Sequence, residues 1–262
     1  MNPSIEEGTD ITAATSDGRT ALHFASSRGC VEVVGLLLAR GANVNAALAH
    51  RGRTALHCAT QGGHTAVVQM LLAKGANTNS MDECDFTPLH WAAYKQHVEI
   101  GELLLDYGAD IEALANVGNT ALHDTMRFGN TSDAFMKLLL RRGASIHARD
   151  NCGNTPLHYA AWHGRDAFIE ILGGEGAVLD AIDNQGRPPL FYAIRGGHRT
   201  TAALLLALCP DAVAHERTAD EVRALFASES IHSAVESALE GPALSRRRAA
   251  CIAWLLSRCV LP

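Results

Sequence analysis

Apolar and polar positions along this chain follow one order that keeps returning. A threonine opens a Thr-x-Leu-His segment, a glycine usually follows about nine residues on, and a stretch rich in valine and leucine leads to Gly-Ala before the order begins again. The openings are Thr20, Thr54, Thr87, Thr120 and Thr155, with the variant Pro188-Pro-Leu-Phe191, so the steps are 34, 33, 33, 35 and 33 residues. A fixed period of this length means a stack of like units, since no single unit has enough apolar surface to bury alone. Each unit predicts two short helices and an extended finger. Threonine caps the first helix, glycine stops it, and the second buries residues such as Val33-Val34 with Leu36-Leu37-Leu38, or Val67-Val68 with Met70-Leu71-Leu72. The fourth unit carries two extra residues in Gly129–Asp133, which lengthens the link between its helices.

These residues resemble the ankyrin repeat family, whose Thr-Pro-Leu-His-x-Ala-Ala-x-x-Gly-His pattern stands almost complete at Thr87–His97 and Thr155–Gly164. The resemblance covers six units and implies an all-α solenoid of stacked helix pairs with β-hairpin fingers. The expected division is a truncated repeat tail or N-terminal cap over residues 1–16, six repeats over 17–209, a degenerate capping repeat over 210–241, and a C-terminal amphipathic helix over 242–262. Gly8–Ala13 looks like the end of a preceding unit whose helices are missing.

Composition fits a folded chain, with 47% hydrophobic and 19% charged residues. The formal net charge of -6 argues against bulk nucleic-acid binding. No apolar run reaches the ~18 residues a membrane span needs, and the start of the chain lacks the basic and apolar stretches of a secretory signal. Seven scattered cysteines without a Cys-x-x-Cys pair suggest free thiols and a cytoplasmic or nuclear protein. Cys30 and Cys58 are expected in the core, Cys84 and Cys152 near exposed finger tips.

Thirteen histidines raise the question of a metal, but His23, His57, His90, His123 and His158 recur once per unit at one place. Stacked helices lie about 8–10 Å apart, too far for neighbouring imidazoles to share one zinc ion. Their expected task is to tie each turn to the next finger by hydrogen bonds. No nucleophile-base signature, phosphate loop or dinucleotide fingerprint is present. The Asp82-Glu83 pair is expected to be solvated. Neither an enzyme nor a cofactor is predicted, and no small-molecule substrate.

Function is then expected on the concave surface such stacks build. Carrying the family's variable positions over to this chain points to Arg28, Arg53, Phe86, Tyr94, Lys95, Arg127, Phe128, Arg149, Trp162, His163, Arg187 and Arg195. Bases dominate these positions, while many acids (Glu32, Glu99, Glu102, Asp106, Asp133, Asp166, Glu170) fall on second helices. The expected function is a noncatalytic scaffold or adaptor whose protein partner is acidic or aromatic. Alternatives are a substrate-recruiting adaptor of a ubiquitin ligase, although the tail lacks the Leu-Cys-Arg and Leu-Pro-Leu-Pro elements of a SOCS box, and an accessory regulator carrying Arg246-Arg247-Arg248 as an import signal.

Overall fold

The computed structural model describes residues 10–49, 52–128 and 132–209. Twelve helices form among these residues, two per repeat: α1 (Ala21–Ser27) and α2 (Val31–Ala39), α3 (Ala55–Gly62) and α4 (Thr65–Ala73), α5 (Pro88–Lys95) and α6 (Val98–Asp106), α7 (Ala121–Phe128) and α8 (Ala134–Arg141), α9 (Pro156–Trp162) and α10 (Asp166–Gly174), α11 (Pro189–Arg195) and α12 (Arg199–Leu208). The expected capping repeat and C-terminal helix, the start of the chain, His50 and the centre of the Gly129–Asp133 link lie outside the described residues.

Two compact units divide the chain after Ala144. In the first, α1, α3, α5 and α7 pack in series, as do α2, α4, α6 and α8, and each first helix packs on its own second helix. In the second, α9 lies on α11 and α10 on α12.

Each helix is too short to be stable alone, because nucleation fixes several residues for one hydrogen bond. Packing therefore makes them. Leu22, Leu56, Leu89, Leu122, Leu157 and Leu190, the leucines of the recurring Leu-His or Leu-Phe step, are all buried. The second helices contribute Val34, Leu37 and Leu38, or Val67, Val68, Leu71 and Leu72, while Val33, Leu36 and Met70 are only half-buried. Gly101 on α6 makes room for Phe135 on α8: a Cβ there would stand 2.6 Å from the Phe135 ring.

The helix starts are built by a Thr–His pair. In α3 the Thr54 backbone N–H donates to His57 Nδ1 at 3.2 Å and the Thr54 hydroxyl lies 2.9 Å from the same nitrogen. His57 Nε2 then donates to the Phe86 carbonyl of the following finger at 3.0 Å. His23, His90 and His158 repeat this with the carbonyls of Arg53, Asn119 and Arg187. The expected histidine ties are thus formed, and they fix the neutral tautomer with its proton on Nε2. His64, His97 and His198 cap the second helices. His64 and His198 reach back to the carbonyls of Ser27 and Trp162.

The fingers differ from the expected β-hairpins. Among the described residues they are tight turns with only isolated bridges, Ala14 with Thr20 and Ala47 with Thr54. Two backbone bonds close each, as from Asp82 N–H to the Phe86 carbonyl at 3.0 Å with Asp85 N–H to the Asp82 carbonyl at 2.9 Å, and from Asp183 N–H to the Arg187 carbonyl at 3.0 Å with Gly186 N–H to the Asp183 carbonyl at 3.1 Å. Such short arms cannot build a strand ladder. Neighbouring fingers are joined by single backbone bonds, Ala49 N–H to the Asp17 carbonyl at 3.2 Å, Asn116 N–H to that of Cys84 at 3.2 Å and Asn184 N–H to that of Cys152 at 2.9 Å, and by side chains: Asn45 Oδ1 accepts from Asn77 N–H at 2.8 Å, and Asn79 Oδ1 from Asp110 N–H at 2.8 Å.

Candidate interaction surface

Within each unit the sequence-predicted positions fall on or at the ends of the first helices and in the fingers. The finger aspartates organise the turns. Asp82 Oδ1 accepts the backbone N–H groups of Cys84 and Phe86 at 2.9 and 3.0 Å, and its Oδ2 accepts the Trp91 indole N–H at 2.8 Å. Asp150 and Asp183 do the same in their own fingers, with the hydroxyls of Tyr159 and Tyr192 at 2.8 and 2.7 Å in place of the indole. Asp82 is therefore buried, not solvated as its position in a polar turn suggests. A recurring signal was available: in all three repeats the aromatic donor follows its aspartate by nine residues.

Two of these donors, Trp91 and Tyr192, also carry cations on their rings. In the first unit, Phe86 stacks on His90 and meets Trp91 edge-on at 5.7 Å, and Trp91 meets Tyr94 edge-on at 5.7 Å. The Arg53 guanidinium lies 5.1 Å from the Trp91 ring centre, Lys95 Nζ 4.8 Å from that of Tyr94, and Arg19 5.7 Å from that of Phe24. Arg53 also donates to Gln61 Oε1. Arg28, exposed, caps α1, and Arg127 is exposed on α7. Phe128 closes α7, and its side chain lies outside the described residues.

In the second unit, Trp162 is 45% exposed and packs edge-on against Tyr192 at 6.0 Å. Arg187 pairs with buried Asp183 at 2.6 Å, donates to the Tyr192 hydroxyl at 2.6 Å, and lies over both Phe191 and Tyr192. Burial opposes the charge of Asp183, yet the donors from Arg187 and Tyr192 outweigh it and hold the carboxyl down to about 2. Arg195 is exposed over Phe191 at 5.5 Å. Arg149 donates to the Ile182 carbonyl at 2.7 Å, joining two fingers, and His163 caps α9.

The second helices are mixed in charge. Arg142 pairs with Asp106 at 2.7 Å and Glu102 at 3.3 Å, and Lys137 with Asp133 at 2.8 Å. Cys84 and Cys152 are exposed as expected, whereas Cys30 and Cys58 are half-buried at helix edges and not in the core. Burial pushes the Cys58 thiol up, against the pull of Arg53. Among the described residues no group of His, Cys, Asp or Glu is arranged to hold a metal ion, and no helix is long and apolar enough to cross a membrane.

A family model for ankyrin repeats matches overlapping stretches from residue 4 to residue 218. The chain belongs to the ankyrin repeat family. No curated protein matches it. Ankyrin repeats generally mediate protein–protein interaction and are usually noncatalytic, and the paired helices here are built on that pattern. Trp91, Tyr192, Phe24 and Phe191, which support the cations, all fall in the Leu-His-x-Ala region of their ankyrin repeats, outside the variable positions carried over from the family.

Proposed function

We propose that this ankyrin repeat protein is a noncatalytic scaffold or adaptor that grips another protein through the first-helix and finger side of its repeats, and that the partner presents acidic and aromatic side chains. The observation that supports this reading is the set of cations held on aromatic rings there: Arg19 on Phe24, Arg53 on Trp91 and Lys95 on Tyr94 in one unit, Arg187 and Arg195 on Phe191 in the other. Rings and guanidinium groups fixed before binding lose little freedom when a partner arrives, and such residues dominate interface energetics. Exposed Trp162 is the anchor of the second unit. The free thiols of Cys30, Cys58, Cys84 and Cys152 support a cytosolic or nuclear setting for this work.

Capture of partners from the native host tests the reading, with Tyr94→Ala and Trp162→Ala alongside the unmodified chain. Each substitution removes an edge-on ring contact of about 0.5–1.5 kcal/mol, so the thermal midpoint should hardly move while the partner is lost. Retention of the partner by both variants would refute the proposal, and collapse of the midpoint would make the rings structural supports.

A further inference from the structure

A cleft of about 180 Å³ opens on the first unit between α1, α3 and the finger that ends at Arg53, lined by Arg19, Phe24, Leu48, Arg53, Cys58 and Gln61. We propose that this cleft is the acid-reading subsite of the interaction surface, receiving one aspartate or glutamate side chain from an acidic segment of the protein partner. The inference rests on the protein-binding reading above and adds the point at which an acidic side chain of the partner enters.

Size comes first. Small-molecule and cofactor sites run to about 300–1,000 Å³, so this cleft suits a single side chain. Charge comes next. Two guanidinium groups wall it, and among the described residues Arg53 has no carboxylate partner: its contacts are the Gln61 amide, the Trp91 face and the neighbouring Cys58. Its Nε is buried without an acceptor, an uncommon state for a guanidinium nitrogen. Arg19 carries an exposed pair with Asp17 at 3.1 Å, easily exchanged for another carboxylate. Geometry completes the case. Arg53 is clamped by Gln61 and Trp91, so its fork is oriented before any ligand arrives, and planar guanidinium recognition of carboxylate gains from such fixing. Phe24 and Leu48 offer the methylene groups of the entering side chain an apolar wall. A nucleic acid is the weaker fit, because a strand must carry a charge at every nucleotide past a chain of net charge -6, whereas a protein segment need present only the one carboxylate the cleft receives.

The test uses the full chain and a fluorescein-labelled octaglutamate peptide, followed by anisotropy, with octaglutamine and single-stranded oligothymidylate as comparison probes. Octaglutamate should bind saturably and octaglutamine should not. Arg53→Gln should weaken octaglutamate at least tenfold and Arg19→Gln severalfold, while Arg40→Gln at the end of α2 stays within twofold. Arg53→Lys, which keeps charge but loses the fork, should fall between. Equal losses in Arg53→Gln and Arg40→Gln would mean diffuse attraction and overturn the subsite, as would oligothymidylate binding as tightly with the same dependence on Arg53. A native partner that Arg53→Gln retains but Tyr94→Ala loses would sink the subsite and leave the protein-binding reading standing. If Arg53→Gln, Tyr94→Ala and Trp162→Ala all retain it, both fall.

Discussion

Gln96 works against the helix it ends. It takes φ 59° at the end of α5, where the corresponding residues Gly29, Gly63, Gly164 and Gly197 take the same left-handed conformation at no steric cost. Its amide recovers part of the strain by donating to the Ala93 carbonyl at 2.8 Å. Gln96→Gly should still raise stability, by about 0.5 kcal/mol, in urea denaturation, since left-handed strain in a side-chain-bearing residue exceeds one partly exposed hydrogen bond. Gly101 presents the reverse case. Alanine there would gain about 1 kcal/mol of helix propensity, but its Cβ would drive into Phe135, which is fully buried and has nowhere to turn. Overpacking costs about 1–3 kcal/mol, so Gly101→Ala should lower the urea midpoint. At this scale the sequence told which threonines, leucines and histidines do structural work, because their spacing is unbroken. Asp82 was not legible, because a carboxylate in a polar turn looks the same whether water or an indole nitrogen nine residues away satisfies it.

Each first helix depends on one histidine that serves both its own start and the next finger. Removing the ring in His57→Ala would strip the acceptor from the Thr54 N–H and leave the Phe86 carbonyl without its donor, besides opening a cavity in a buried site. A loss of about 2–4 kcal/mol is expected, measurable as a lowered urea midpoint. Helix pairs were legible from the period because the pattern of caps and leucines repeats at every scale that sets a helix end. Fingers were less so: the chain has too few paired residues per finger for strands, and single backbone bonds such as Asn116 N–H to the Cys84 carbonyl, with side-chain bonds such as that of Asn77 N–H to Asn45 Oδ1, do the joining. The fourth repeat shows a further exchange. Its finger has Ala115 where Asp82 and Asp150 stand in others, while α7 carries Asp124 where Trp91 and Tyr159 stand. A carboxylate has moved from finger to helix, and there it is fully buried, with Oδ2 unpartnered and Asn119 Nδ2 3.4 Å from Oδ1.

Across the whole molecule these buried groups set a pH profile. Burial lowers His57 and His158 from 6.5 to about 4, against the pull of the carbonyls they bond, and lowers His23 and His90 likewise. The unfolded chain therefore takes up protons that the folded chain refuses, so stability is full above the ordinary histidine value and falls as pH drops from 6.5 toward 4, by about 3 kcal/mol for each of His57 and His158. Asp124 has the opposite sign: burial raises it from 3.8 to about 7, so the folded chain holds a proton that the unfolded chain has lost, and stability falls as pH rises through that range. Burial lowers His97 as well, so five histidines oppose one carboxyl between pH 4 and 6.5, and the histidines prevail. Urea denaturation followed from roughly pH 4 to pH 8 should thus show stability rising to about neutrality. Asp124→Asn isolates the minority contribution. Its stability should match the unmodified chain near pH 4, where the folded side chain is neutral in both, and exceed it increasingly up to neutral pH, because folding of the unmodified chain must return to Asp124 a proton that the unfolded carboxyl has lost. A constant offset between the two chains across that range would show that Asp124 is ionised throughout, with Arg127, the cation that pulls against its burial, compensating the charge.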